Sequence, residues 1–167
     1  MKSGSLAWLV VTVTVVTAVM LSGCLSGGDG GSEQRTASLI IDFKGNGGST
    51  NPGNLTTWTK IGDAWSVATQ SNSGHTMWMF YNVTSGSMVL DLLEECSAIG
   101  VFEVVTKHYI GMGTLVESIG GVHNEKPGRG WQYYVNWQYA TQACNLFTMD
   151  NDDVVTWMFA DLTDLPR

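Results

Sequence analysis

The order of elements written into this sequence predicts an α+β fold in which one short helix packs on a mostly antiparallel sheet. Three observations carry it. The stretch Gly128 to Trp137, GRGWQYYVNW, alternates strictly, with Trp131, Tyr133, Val135 and Trp137 on one face and Gln132, Tyr134, Asn136 and Gln138 on the other. The segment after Ser87 places Val89, Leu92, Leu93 and Cys96 at helical spacing, with Asp91, Glu94 and Glu95 left to solvent. Short β-rich runs bounded by Gly and Asn lie on both sides of that helix.

In chain order, Lys2 and the apolar run Leu6 to Leu21 have the form of an export signal. The run is short for a membrane span and ends in small residues. Its end, Leu21-Ser22-Gly23-Cys24, resembles the lipobox of bacterial and archaeal lipoproteins. That resemblance implies a signal peptide over residues 1–23 and lipidation of Cys24, which would hold the protein on the outer face of a membrane. An ordinary signal peptide or an uncleaved anchor with an incidental cysteine is the alternative.

Residues 24–36 are rich in Gly, Ser and charge and read as a flexible tether. Ala37 to Phe43 is the first strand. Lys44 to Gly74 shows no sustained period and reads as a long loop inserted in a domain spanning residues 37–167. Trp58 and Trp65 lie in it, either covering the core or touching a ligand. His75 to Thr84 is the second strand, and Ser87 is placed to cap a helix of about ten residues that Gly100 ends. Val101 to Ile110 and Gly113 to Ile119 are strands joined by a turn at Gly111-Met112. The last strand is Val154 to Ala160, after the acidic turn Asp150 to Asp153.

Removing residues 1–23 takes away Lys2 and no acid, so 7 basic residues face 15 acidic ones, a net charge of -8. A surface of that sign disfavours nucleic acid and anionic lipid as partners. With Cys24 lipidated, Cys96 and Cys144 remain, and an even pair in an exported chain reads first as a disulfide, with two buried free thiols as the alternative. Asn54-Leu55-Thr56 and Asn82-Val83-Thr84 match the glycosylation sequon.

Ser87 to Leu93, Gly130-Trp131-Gln132-Tyr133-Tyr134-Val135-Asn136 and Asp153 to Phe159 together resemble the transcobalamin-like C-terminal domain family. The resemblance runs from Ser85 to Ala160 and more weakly to the first strand. It implies a β-grasp-like fold, common on lipid- or wall-anchored surface proteins and on the cobalamin carriers of animals. It also implies a non-catalytic role in binding a small molecule. In that family the strand usually continues Val-Asn-Gly and a Gly-Asp turn precedes the final strand. Here Trp137 and Asp152 stand in place of those glycines, so a turn with φ > 0 after Asn136 would be strained.

Groups that converge for catalysis are sparse. His75, His108 and His123 have no metal-ligand spacing. Asp150 to Asp153 lacks the glycine and glutamate that a calcium loop needs at its sixth and twelfth positions. Cys96 and Cys144 have no histidine near them in sequence to act as base. No nucleophile elbow or phosphate loop is present. The sequence therefore predicts no enzyme and no cofactor, with cobalamin or another corrinoid as the ligand the resemblance implies.

Aromatic surface beside amides suits a flat, partly apolar ligand. Tyr134, Asn136, Trp137, Gln138 and Tyr139 are the expected contacts, while Trp131, Tyr133 and Trp157 are expected in the core. The expected partners are a small molecule, the membrane through its lipid anchor, and a membrane transporter or surface protein. The other reading is a cell-surface scaffold, in which the aromatic strand edge docks a partner domain.

Overall fold

The computed structural model describes residues 33–44, 53–72, 74–125 and 127–161. The expected export signal, Cys24 and most of the expected tether lie outside the described residues. Chain order gives β1 (Gln34–Asp42), β2 (Asn54–Ile61), β3 (Ala64–Ser71), β4 (Met77–Gly86), α1 (Val89–Gly100), β5 (Val104–Tyr109), β6 (Gly113–Ile119), β7 (Val122–His123), β8 (Arg129–Val135), β9 (Gln138–Tyr139) and β10 (Val154–Asp161). This is α+β, with sheet dominant, as the sequence predicts. One sheet runs β3-β2-β4-β1-β10-β8-β9 and a smaller one β5-β6-β7. Pairing is antiparallel except for β1 with β10 and β2 with β4.

Alternation decides which face is core. Leu39, Ile41 and Phe43 from the β1 end, Phe80 from β4, Val155, Trp157 and Phe159 from β10, and Trp131, Tyr133 and Val135 from β8 are all buried. Helix α1 buries Val89, Leu92, Leu93 and Cys96 among them. Each such side chain is worth about 1.5–3 kcal/mol when removed from water. Phe43 and Phe159 both pack on the Trp131 ring, with centroids 5.4 and 5.3 Å away. The strand that opened the sequence reading therefore lies next to the sheet edge with its aromatic face inward.

Several boundaries differ from the sequence reading. Strand β1 begins at Gln34, so residues 34–36, expected in the tether, are strand. Arg35 Nε donates to the Met149 carbonyl at 3.1 Å and Thr36 N to Asn151 Oδ1 at 3.0 Å, ties that a local pattern does not show.

Within the expected loop over 44–74, residues 54–71 form a β-hairpin, β2–β3, turning at Gly62 with φ 62°. Its strands lie at the sheet edge and most of their side chains are exposed. No apolar face is needed there, which is why no hydrophobic period marks them. Trp58 is buried and stacks on Phe80 with centroids 4.2 Å apart, so it covers the core.

The helix cap also differs. Ser87 is not the cap; Met88 precedes the first turn, and its N–H donates to Asp91 Oδ2 at 3.0 Å. At the other end the left-handed residue is Val101 with φ 54°, one position beyond the glycine expected to end the helix.

Candidate functional site

Strand β8 is flanked by β10 on one side and by the two-residue β9 on the other. Because β9 is short, most of the outer edge of β8 is taken by other groups. Asn124 accepts the Trp131 N–H at 2.8 Å through Oδ1 and donates through Nδ2 to the Val116 carbonyl at 2.9 Å. The Trp131 indole N–H donates to the Val122 carbonyl at 2.8 Å. One asparagine thus fastens the small sheet to the edge of the large one.

Between the two sheets this leaves a cleft of about 350 Å³. Its walls are Tyr109 and Met112 to Val116 from the β5–β6 hairpin, Trp131 to Tyr133 from β8, the segment Tyr139 to Cys144, and Trp157. Gly113, at φ 97°, makes the fold of the wall possible: a Cβ there would collide with the Ala143 Cβ and lie 2.8 Å from Asn145 Oδ1. Asn145 Oδ1 accepts the neighbouring Thr114 N–H at 2.7 Å, which holds the two walls together.

Two polar groups of the walls are paired within the fold. The Tyr133 hydroxyl donates to the Gln142 carbonyl at 2.7 Å, and burial raises its pKa. The Cys144 thiol donates to the Thr114 carbonyl at 3.4 Å, and burial pushes its pKa up to about 11. Trp157 differs. It is 2 % exposed and its indole N–H has no hydrogen-bond partner. Strand β10 is enclosed by β1 and β8, and Trp157 is the residue of β10 that lines the cleft. The Gln132 amide and the Thr156 hydroxyl are also buried without partners, but alternation puts both on the opposite face of the sheet.

A second hollow of about 370 Å³ adjoins the first across Tyr139 to Gln142, and Asn136, Gln138, Phe147, Asp150 and Asp153 line it. The five residues expected to meet a ligand divide accordingly. Tyr139 lines both hollows and Asn136 and Gln138 the second, while Tyr134 and Trp137 line neither. Asn136 is also a brace: its Nδ2 donates to Asp153 Oδ1 at 2.7 Å, and its Oδ1 accepts the Val154 N–H at 3.0 Å. Asp153 Oδ2 accepts the Asp150 N–H at 2.8 Å, so this acidic turn is organised by the chain itself.

The turn after Asn136 keeps the backbone that glycine would favour. Asn136 and Trp137 have φ 50° and 67°, positive at both central residues as in a type I′ hairpin, and Asp152 has φ 67°. The substitutions for glycine leave the turns in place and load them with strain. Trp137 is 71 % exposed.

Cys96 and Cys144 are free and buried, where the sequence reading put a disulfide first. The Cys144 carbonyl accepts the Leu90 N–H at 3.0 Å, and Cys96 lies six residues further along the helix, about 9 Å of rise. The Cys144 thiol is turned away to the Thr114 carbonyl of β6.

Trp131, Tyr133 and Trp157 were legible as core residues but not as walls of a cleft, since alternation looks the same in both cases. The run Tyr109-Ile110-Gly111-Met112 carried a weak signal: two of its apolar side chains sit on a turn, and Ile110 is 97 % exposed.

Residues 86–161 match the family model of a domain of unknown function (DUF4430). Among solved structures the chain resembles haptocorrin in complex with Cbi, at 12 % identity and a TM-score of 0.45, over 81 % of this chain and 27 % of that one. It also resembles a protein from Ruminococcus gnavus ATCC 29149 named provisionally as metal binding, at 8 % identity and a TM-score of 0.38, over 66 % of this chain and 98 % of that one. The chain thus spans about a quarter of the length of the haptocorrin chain. No curated protein sequence matches it significantly.

Proposed function

We propose that this protein is a non-catalytic, membrane-anchored binding module on the outer face of a prokaryotic cell, capturing a small molecule in the cleft between its two sheets. The observation that carries this is the cleft itself: about 350 Å³, within the size range of small-molecule sites, with Tyr109, Trp131, Tyr133, Tyr139 and Trp157 in its walls. Aromatic rings supply area at little cost in conformational freedom. The adjoining polar hollow, with Gln138 and Asp150 at its surface, gives a larger ligand groups by which to be oriented.

The helix on its sheet is taken as β-grasp-like, which the parallel pairing of β1 with β10 beside the helix supports. The Trp-x-Tyr-x-Val-Asn resemblance makes cobalamin or another corrinoid the first ligand to test. A corrin macrocycle is larger than the cleft and would lie across its mouth. Lipidation of Cys24 would keep the domain at the membrane, in position to pass ligand to a transporter. Titration of the full chain with cobalamin, followed by corrin absorbance and Trp quenching, should saturate. No change at about tens of micromolar refutes the corrinoid assignment.

Trp137 favours a second reading. An exposed tryptophan held at positive φ on a hairpin tip suits docking to another surface protein. Cross-linking on whole cells traps that partner if this reading is right, and recovery of the monomer alone counts against it.

A further inference from the structure

Resting on that binding reading, we infer that the cleft selects an uncharged, ring-bearing group with a hydrogen-bond acceptor, and that the Trp157 indole N–H is the donor that recognises it. Three observations meet here. Among the described residues that line the cleft there is no Asp, Glu, Lys, Arg or His. Glu94 on α1 acts electrostatically on Cys144 in the wall, a negative charge that opposes an anion. The Trp157 N–H is buried, unpartnered and carried on a ring that lines the cleft.

A buried donor left unpaired costs free energy, and an acceptor brought by a ligand recovers it. A carboxylate would also accept that bond, but it would surrender its hydration to a site with no cation to replace it. Metal ions and free phosphate find no counter-charge in these walls. Beyond the cleft, Met112 and Leu115 line its mouth and Ile110 stands beside them, all exposed. This rim continues the apolar surface outward, so a ligand longer than the cleft lays a second apolar portion over it.

Three probes of one shape separate the contributions: 2-naphthamide, neutral with an acceptor; naphthalene, neutral without one; and 2-naphthoate, charged. Each is titrated into the full chain and followed by Trp fluorescence and by the indole N–H resonance of Trp157. The amide should bind about tenfold more tightly than naphthalene, and the carboxylate at least about tenfold more weakly than the amide. The Trp157 N–H resonance should move with the amide and not with naphthalene. In Trp157→Phe the advantage of the amide over naphthalene should vanish. Because Trp157 is a core residue, the wild-type resonance serves as the readout if that variant does not fold. Equal binding of amide and carboxylate, or an unmoved Trp157 resonance on amide binding, overturns the inference. So does failure of all three probes to bind. Saturable corrinoid binding alongside any of these outcomes leaves the binding reading standing and removes only the assigned chemistry.

Discussion

Replacing Trp137 by glycine separates strain, packing and recognition at one position. The wild-type residue holds φ 67° at the second place of the β8–β9 turn, where a non-glycine side chain costs about 1–2 kcal/mol. Glycine relieves that cost and loses about 0.5–1 kcal/mol through its greater freedom in the unfolded chain. The side chain is 71 % exposed, so roughly 60 Å² of a large ring is covered, worth at most about 1.5 kcal/mol. These contributions nearly cancel. Trp137→Gly should change stability by less than about 1 kcal/mol, a shift in Tm of about 5 °C or less. Urea unfolding of the full chain measures it, with the m-value checked for constancy. Trp137 lines neither hollow, so affinity for 2-naphthamide should change by less than about twofold. A loss above about 2 kcal/mol would refute the reasoning by showing that the ring is held in packing. A tenfold loss of probe affinity with stability kept would make Trp137 a ligand contact.

Four further outcomes follow from the same geometry. Gly113→Ala forces a Cβ against Ala143 at a positive φ, and should cost about 1–3 kcal/mol and weaken 2-naphthamide binding by spreading the walls; unchanged unfolding and affinity would show that the wall yields freely. Val101→Gly, at a position 89 % exposed with φ 54°, should stabilise by about 0.5–1 kcal/mol in thermal unfolding, and a loss would mean that the αL cap is not strained. The buried thiols Cys96 and Cys144 should resist alkylation in the native chain and both react in denaturant, whereas protection persisting in denaturant without reductant would restore the disulfide. Burial raises the Cys144 pKa from 9.0 to about 11, so the folded state favours the neutral thiol. The stability it contributes is complete below about pH 9 and is lost as pH rises to about 11, which equilibrium unfolding at stepped pH reads directly.

How far the sequence could be read depended on whether burial was periodic. Strands β8 and β10 bury one aromatic face against the core, so their spacing gave away both position and facing. Helix α1 was equally plain from Val89, Leu92, Leu93 and Cys96. The β2–β3 hairpin was missed because its strands run along an exposed edge, where threonine and serine suffice and no apolar period is imposed. The Gly62-Asp63 turn was the signal that could have found it. Of the five expected contacts, Asn136, Gln138 and Tyr139 line one of the hollows, while most of the cleft wall was not legible, for a related reason. Aromatics and amides cluster in sequence around the turn at Asn136, whereas the cleft forms where β9 stops and the β5–β6 hairpin closes over the edge of β8. That closure depends on Asn124, Gly113 and Asn145, whose partners are far away in sequence.

The account rests on a small molecule occupying the cleft beside Trp157. Native mass spectrometry of the full chain, purified from its own cells without added ligand, tests this most directly. The expected spectrum shows one small molecule held per chain and displaced by 2-naphthamide. A chain seen only at its bare mass, or a bound molecule that 2-naphthamide does not displace, would contradict it.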